Sequence, residues 1–171
     1  MCNENVEKGM DFERFVYRNL SEMAEPLFPM KTREERTYEY ETGNFTPDLM
    51  FMIDGLAFYV DCHYRSYYDA NNMELDNWLI YRRKMRVYRN INIPIFEFCG
   101  AGGEAYDPEY MMFKDLDNIH GNRLPAGSYS LCDDLYSRVM SQLLFRLRGR
   151  YAYLTYRDTF YIDGGAPSGC I

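Results

Sequence analysis

The chain has 171 residues, 47% of them hydrophobic and 26% charged, which fits a single folded domain with its own core and excludes a disordered chain. A net charge of −7 argues against a protein that coats nucleic acid non-specifically, because that affinity comes from Lys and Arg. There is no signal-peptide pattern and no apolar run approaching the roughly 18 residues of a membrane span, so we expect a cytoplasmic protein with no membrane partner. Five cysteines without a CxxC pair indicate reduced thiols.

The first quarter of the chain is predicted to contain one helix and one strand. Apolar residues within 10–24 recur at three- and four-residue steps, which predicts an amphipathic helix that Pro26 ends, after a frayed stretch at 1–8. Glu13 lies beside the apolar stripe of this helix, where its carboxylate can reach the edge of the core. β-Branched and aromatic residues favour a half-exposed strand within 31–42.

The stretch 46–65, TPDLMFMIDGLAFYVDCHYR, contains two apolar runs joined by an Asp-Gly dipeptide. Asp-Gly accepts the positive φ angles of a two-residue hairpin turn, so we predict two antiparallel strands. Asp48 lies six residues before the turn and Asp61 six residues after it, so pairing brings the two carboxylates together. Asp61 and His63 share a face because strand side chains alternate. These three residues form a candidate site for binding a metal or moving a proton; acids that merely flank strands are the alternative.

The remainder of the chain is predicted to add a crossover to this hairpin. A helix from about 73 to 89 is followed by a β-rich run at 91–98, which should lie parallel beside the hairpin. The glycines at 100–103 lack the Lys-Ser/Thr of a phosphate loop and indicate a flexible turn. Further elements follow: a short strand or extended segment at 108–119, a loop at 121–127, a helix at 131–148, and an edge strand in the tyrosine-rich tail from Arg150.

A basic run at 81–89 stands out against the acidic composition. It carries five basic residues and no acid. Such a run can neutralise phosphates on a nucleic acid, and its alternative interpretation is a solvated helix face balanced by acids elsewhere.

The order of these features resembles the PD-(D/E)XK, or restriction-endonuclease-like, superfamily. The similar stretches are GMDFERFV at 9–16 for the first helix, Pro47 and Asp48 for the PD, YVDCHYR at 59–65 for the (D/E)XK strand, the helix at 78–88 and the strand at 93–96. The likeness spans about 9–100 and lies in the order of the motifs more than in any one of them. It implies an α/β fold with a restriction-endonuclease-like mixed central sheet flanked by helices. The whole chain, 1–171, would be one domain with a core at about 9–148 and a C-terminal extension at 149–171.

The resemblance also implies a function: a metal-dependent phosphodiester hydrolase that acts as an endonuclease, on DNA rather than RNA. Asp48 would be the main ligand of Mg2+ or Mn2+, Asp61 the second ligand, and Glu13 an accessory or orienting residue. A homodimer is compatible with the family. The residues expected to bind nucleic acid are Arg65, Arg82, Arg83 and Arg86.

The family's lysine is replaced by His63 in this chain. A lysine ammonium stays charged at pH 7. A histidine near its ordinary pKa of about 6.5 is mostly neutral at that pH, and its imidazole is a soft metal ligand. Three outcomes stay open: His63 acts as a general base or ligates a softer metal; Lys84 or Arg65 supplies the cation; or the domain is catalytically degenerate and serves as a nucleic-acid-binding or protein-interaction module. An unrelated α/β protein with structural acids is a further alternative.

Overall fold

The computed structural model describes residues 3–71, 73–74, 78–116, 119, 123–124 and 130–162. Within these residues the protein is a mixed α/β fold, and none of its helices is both long and apolar enough to cross a membrane. The helices are α1 (Asn3–Leu20), α2 (Arg33–Thr42), α3 (Trp78–Tyr88) and α4 (Cys132–Ile162). The strands are β1 (Glu25–Pro26), β2 (Leu49–Ile53), β3 (Leu56–Arg65), β4 (Met73–Glu74), β5 (Ile95–Glu104), β6 (Asp107–Asp115), β7 (Arg123–Leu124) and β8 (Ser130–Leu131).

The main sheet has six strands in the order β1-β2-β3-β5-β6-β8. The β3–β5 pair is parallel and every other pair in it is antiparallel. A parallel neighbour requires a crossover, and α3 lies in the connection between β3 and β5. The strand–helix–strand crossover predicted from the sequence is therefore confirmed. The strands β4 and β7 form a separate two-stranded sheet.

The predicted hairpin is β2–β3. Its turn lies at Asp54 and Gly55, which have φ angles of 49° and 75° and so adopt the left-handed region that Asp-Gly tolerates. The register pairs Leu49 with Val60, so the residue before β2 stands beside the residue that follows Val60. Asp48 and Asp61 are these two residues.

The two faces of the sheet are covered by different helices and bury different side chains. On one face, α1 and α4 cover the core residues of β2, β3 and β5, including Phe51, Phe58 and Phe96, none of which is exposed. On the other face, Tyr81 and Tyr88 of α3 pack among smaller apolar clusters. Because side chains alternate along β3 and β5, Asp61, His63 and Glu97 lie on the face covered by α3.

Within the segment 31–42, residues 33–42 form the helix α2, so the predicted strand is wrong. Thr32 accepts from the backbone N–H of Glu35, and the Glu35 carboxylate accepts from the backbone N–H of Thr32, which completes a capping box. Gly43 ends α2 in the left-handed conformation. These local hydrogen bonds outweigh the weak β preference of the tyrosines, since no α2 residue is buried against a sheet.

Three other predicted boundaries differ. The helix α1 begins at Asn3 and ends at Leu20, so residues 3–8 are helical and Pro26 lies in β1. The glycines at 100–103 lie within β5 and are not a loop: Gly100 pairs with both β3 and β6, and Gly103 pairs with β6. The predicted C-terminal edge strand is helical, because α4 continues past 150 and the Tyr151 hydroxyl donates to the Ala57 carbonyl at 2.7 Å.

Other predictions for the second half of the chain hold in part. Residues 108–115 are a strand, as predicted, and the helix predicted at 131–148 matches the first part of α4, whose Val139, Leu143 and Leu147 are buried. The helix predicted from about 73 starts at Trp78, and residues 73–74 are a strand. Most of the loop predicted at 121–127 lies outside the described residues.

Gly100 generates a test of this packing. A Cβ added at Gly100 would lie 2.5 Å from a ring carbon of Phe12, and that ring is fully buried and cannot move aside. We expect Gly100→Ala to lower the free energy of unfolding by about 1 to 3 kcal/mol through overpacking. The matched control is Gly9→Ala in α1, where a Cβ meets nothing within 4 Å, and we expect it to stabilise by roughly 0.5 to 1 kcal/mol. Urea unfolding of both variants measures this, and equal effects would contradict the Phe12 contact.

Candidate active site

Asp61 is the centre of a buried polar cluster on the α3 face of the sheet. Its side chain is 1% exposed. The Tyr88 hydroxyl donates to Asp61 Oδ1 at 2.9 Å, while Oδ2 lies 3.0 Å from His63 Nε2 and 3.4 Å from Lys84 Nζ. Lys84 and Tyr88 are four residues apart on α3, so one helix face presents both groups to β3. Asp61 thus has a partner on each oxygen.

Glu97 of β5 joins the cluster. The parallel register places Glu97 directly beside Asp61, and Glu97 is also 1% exposed. Its Oε2 lies 3.1 Å from His63 Nε2. The Nε2 of His63 therefore faces two carboxylate oxygens, and it meets the geometry of a hydrogen bond with that of Asp61. Glu97 Oε2 is left buried without a hydrogen-bond donor among the residues that the structure describes.

The acids set the charge state of His63. Burial alone would lower its pKa, but Glu97 and Asp61 outweigh burial and raise the pKa of His63 to about 10. Burial alone would raise the pKa of Asp61, but Lys84 and His63 hold it below its ordinary range. Burial and then Asp61 raise the pKa of Glu97. In this arrangement His63 is an imidazolium held between carboxylates, which differs from the mostly neutral histidine expected from its ordinary pKa.

A second cluster joins α1, α2 and the start of β2. Arg36 of α2 contacts both carboxylate oxygens of Glu13, and its Nη1 lies 3.5 Å from Asp48 Oδ1. Asp48 Oδ2 accepts from the backbone N–H of Cys62 at 2.8 Å, which ties Asp48 to the residue next to Asp61. Glu13 is 4% exposed, so the sequence-based prediction that its carboxylate reaches the core edge is confirmed.

The carboxylates of the two clusters influence one another. Burial and then Asp61 raise the pKa of Asp48, and Lys84 opposes that rise. Burial and then Asp48 raise the pKa of Glu13, and Arg36 opposes that rise. Burial is the larger cause in both cases, and each neighbouring carboxylate adds to it by disfavouring the ionisation of the next.

The predicted nucleic-acid-binding residues lie around α3. Arg82, Arg83 and Arg86 are exposed on this helix, while Lys84 points inward to Asp61. Arg65 ends β3 on the same strand face as Asp61, and its Nη1 donates to the Tyr64 carbonyl at 3.0 Å.

The structure thus brings Asp61, His63 and Lys84 into direct contact and places Asp48 and Glu13 in the adjoining cluster with Arg36. Within the described part of the chain, the group with the spacing of three metal ligands is Asp61, His63 and Glu97, and Asp48 is outside that trio.

Sequence reasoning missed two members of the site. Arg36 was hidden by the strand predicted for 31–42, although Thr32 followed by Glu35 and then Gly43 are signals for the start and end of a helix. Glu97 was present in the predicted strand at 91–98. Its signal was a single acid within an apolar parallel strand, where a charge is rarely buried without a partner.

No protein-family model matches the chain, and no curated protein matches it significantly. The site must therefore be interpreted from its own geometry.

His63 generates a pH-dependent prediction. Because its pKa is raised in the folded protein, the stabilisation from its charge is complete below pH 6.5 and is lost as the pH rises towards 10. Wild type should therefore lose roughly 2 to 3 kcal/mol more stability than His63→Asn between pH 6.5 and 9, at about 1.4 kcal/mol per pH unit. Urea unfolding at several pH values measures the two slopes. Parallel slopes would contradict a charged His63.

Proposed function

We propose that this protein is a metal-dependent phosphodiester hydrolase with a restriction-endonuclease-like fold, acting as an endonuclease on DNA. The observation that carries the proposal is the placement of Asp48, the residue before β2, beside Asp61 of β3, with the inward-pointing ammonium of Lys84 at Asp61. Two carboxylates and a cation close together are the groups that metal-assisted hydrolysis of a phosphodiester requires.

The order of elements supports the fold part of the proposal. The chain contributes a helix carrying Glu13, a hairpin carrying Asp48 and Asp61, a helix with spaced basic residues, and then a strand parallel to the second hairpin strand. This is the order on which the resemblance to the PD-(D/E)XK superfamily rests.

Asp48 and Asp61 would hold the Mg2+ or Mn2+ ion. Their oxygens are the hard ligands that these ions favour, and a bound cation would favour the ionised form of Asp48, whose pKa burial and then Asp61 raise. Bound there, the ion would acidify a water molecule and neutralise charge on the phosphate. Glu13 and Arg36 would keep Asp48 in position, since Arg36 contacts both acids.

Lys84 takes the role of the family's lysine in this proposal. Its ammonium lies 3.4 Å from Asp61 Oδ2, and a Lys cation beside a phosphate stabilises the negative charge that builds up on phosphoryl oxygens. His63 is only 8% exposed and lies between two carboxylates, so it positions Asp61 and does not reach a substrate.

The outer face of α3 supports a DNA partner. Arg82, Arg83 and Arg86 are exposed on the helix whose inner face contacts Asp61, so they offer phosphates a basic surface on the element that covers the site. A groove of 720 Å³ next to Pro47 is a poor path for a phosphate backbone, because three of its lining residues are glutamates. The arginine-bearing helix is therefore the path we propose for the DNA.

One observation favours the alternative, a catalytically degenerate domain that binds nucleic acid or a protein. Tyr88, His63 and Lys84 already occupy both oxygens of Asp61, so the buried network pairs this acid without a metal. The two functions differ in whether cleavage depends on the acids.

Three matched Asp→Asn variants test the hydrolase. We expect Asp48→Asn and Asp61→Asn to reduce Mg2+-dependent plasmid nicking on the order of 100-fold or more, because each removes a ligand charge. The control is Asp54→Asn, the same change at the exposed hairpin turn, which keeps a residue that tolerates positive φ and should cleave as wild type does. Circular dichroism verifies that each variant folds. Wild-type nicking by Asp48→Asn, or no nicking by wild type with Mg2+ or Mn2+, would contradict the hydrolase.

Lys84 is tested separately. We expect Lys84→Met to lower turnover on the order of 100-fold, because the ammonium stabilises charge in the transition state, while Mg2+ affinity stays near the wild-type value. Single-turnover cleavage and Mg2+ calorimetry measure the two quantities. Equal losses of turnover and of metal affinity would assign Lys84 to the structure of the Asp61 cluster.

A further inference from the structure

We infer that Asp61, His63 and Glu97 form a second metal site, beneath α3, that takes a first-row transition-metal dication such as Mn2+. This site would share Asp61 with the ion proposed at Asp48 and would use the opposite neighbour of Asp61 in the sheet. This second site goes beyond the proposed hydrolase, because its three ligands lie close together whether or not the chain cleaves DNA.

The spacing of the three ligand atoms carries the first step. His63 Nε2 lies 3.0 Å from Asp61 Oδ2 and 3.1 Å from Glu97 Oε2, and the three ligand atoms all lie within 4.8 Å of one another. Two ligands about 2.1 Å from an ion and at right angles to each other are about 3 Å apart. The trio therefore has the ligand-to-ligand spacing of one coordination sphere.

The Oε2 of Glu97 gives an independent observation. Glu97 is 1% exposed, and its Oε2 makes no hydrogen bond among the described residues, because its neighbour 3.1 Å away is the same His63 Nε2 that bonds Asp61. A buried carboxylate oxygen that must share one N–H with a second carboxylate is incompletely satisfied, and such oxygens are rare. A cation between the three atoms pairs this oxygen, taking the place of the Nε2 proton, which leaves to solvent.

The donor set selects the class of ion. Carboxylates bind both Mg2+ and Mn2+ well, whereas an imidazole suits transition metals. A site with one imidazole and two carboxylates therefore favours a transition-metal dication over Mg2+. The ligands stand on adjacent strands in the middle of the sheet, with Asp61 in register with Glu97. Strands hold such groups more rigidly than loops do.

The test is a metal titration in a His120→Gln background, so that His63 provides the only imidazole. Co2+ absorption and Mn2+ electron spin resonance are measured on this protein and on its Glu97→Gln, His63→Asn and Asp48→Asn variants. We expect Glu97→Gln and His63→Asn each to weaken Mn2+ and Co2+ binding at this site at least tenfold, and Asp48→Asn to leave it within about threefold. Glu97→Gln is nearly isosteric, and its fold is verified by circular dichroism.

The spin-echo spectrum of bound Mn2+ gives a second readout that needs no variant at the trio. Nitrogen coupling from one imidazole is expected. No such coupling, or wild-type affinity in both Glu97→Gln and His63→Asn, would overturn the inference even if Asp48-dependent nicking is intact. If the trio binds Mn2+ as expected while nicking is absent, the second site stands and the proposed hydrolase fails.

Discussion

The carboxylate of Asp61 cannot be buried without partners, because an unpaired ion in a protein interior costs several kcal/mol. Its environment follows from that requirement. The strand β3 places Asp61 on the side of the sheet away from α1 and α4, and α3 then contributes Lys84 and Tyr88 while the same strand contributes His63. The side chains that pair Asp61 also fix how α3 lies on the sheet, so the site and the packing of this face depend on the same contacts.

Two groups of acids meet around this carboxylate. Asp48 is linked to the backbone of Cys62 and, through Arg36, to Glu13, whereas Glu97 is linked through His63. The cations nearest to Asp61 come from α3 and β3, and the cation nearest to Asp48 comes from α2. Four buried or nearly buried acids with these few cations form a region that favours a bound dication, which is the physical basis shared by both proposals.

Part of the fold and part of the site could be predicted from the sequence, because they depend on local interactions. The Asp-Gly turn and the alternation along the strands suffice for the hairpin and for the proximity of Asp48 and Asp61, because both depend on neighbouring residues only. The helix at 33–42 was predicted as a strand because the β propensity of its tyrosines was given more weight than its capping residues. For the same reason Arg36 was not predicted as a site residue. Glu97 required the register between β3 and β5, a long-range pairing that a strand's own sequence does not specify. The helical tail past 150 was missed because alternating tyrosines fit a strand and a packed helix equally well.

The most direct test of the account is the anomalous scattering of Mn2+ in crystals of the wild-type protein. The account predicts a peak at about 2.2 Å from oxygens of both Asp48 and Asp61, a distance typical of hard-ligand coordination. The same crystals of Asp48→Asn should lack that peak. A well-ordered crystal in which Mn2+ is absent from Asp48 and Asp61 would contradict the central claim that these two carboxylates form a metal-dependent hydrolytic site.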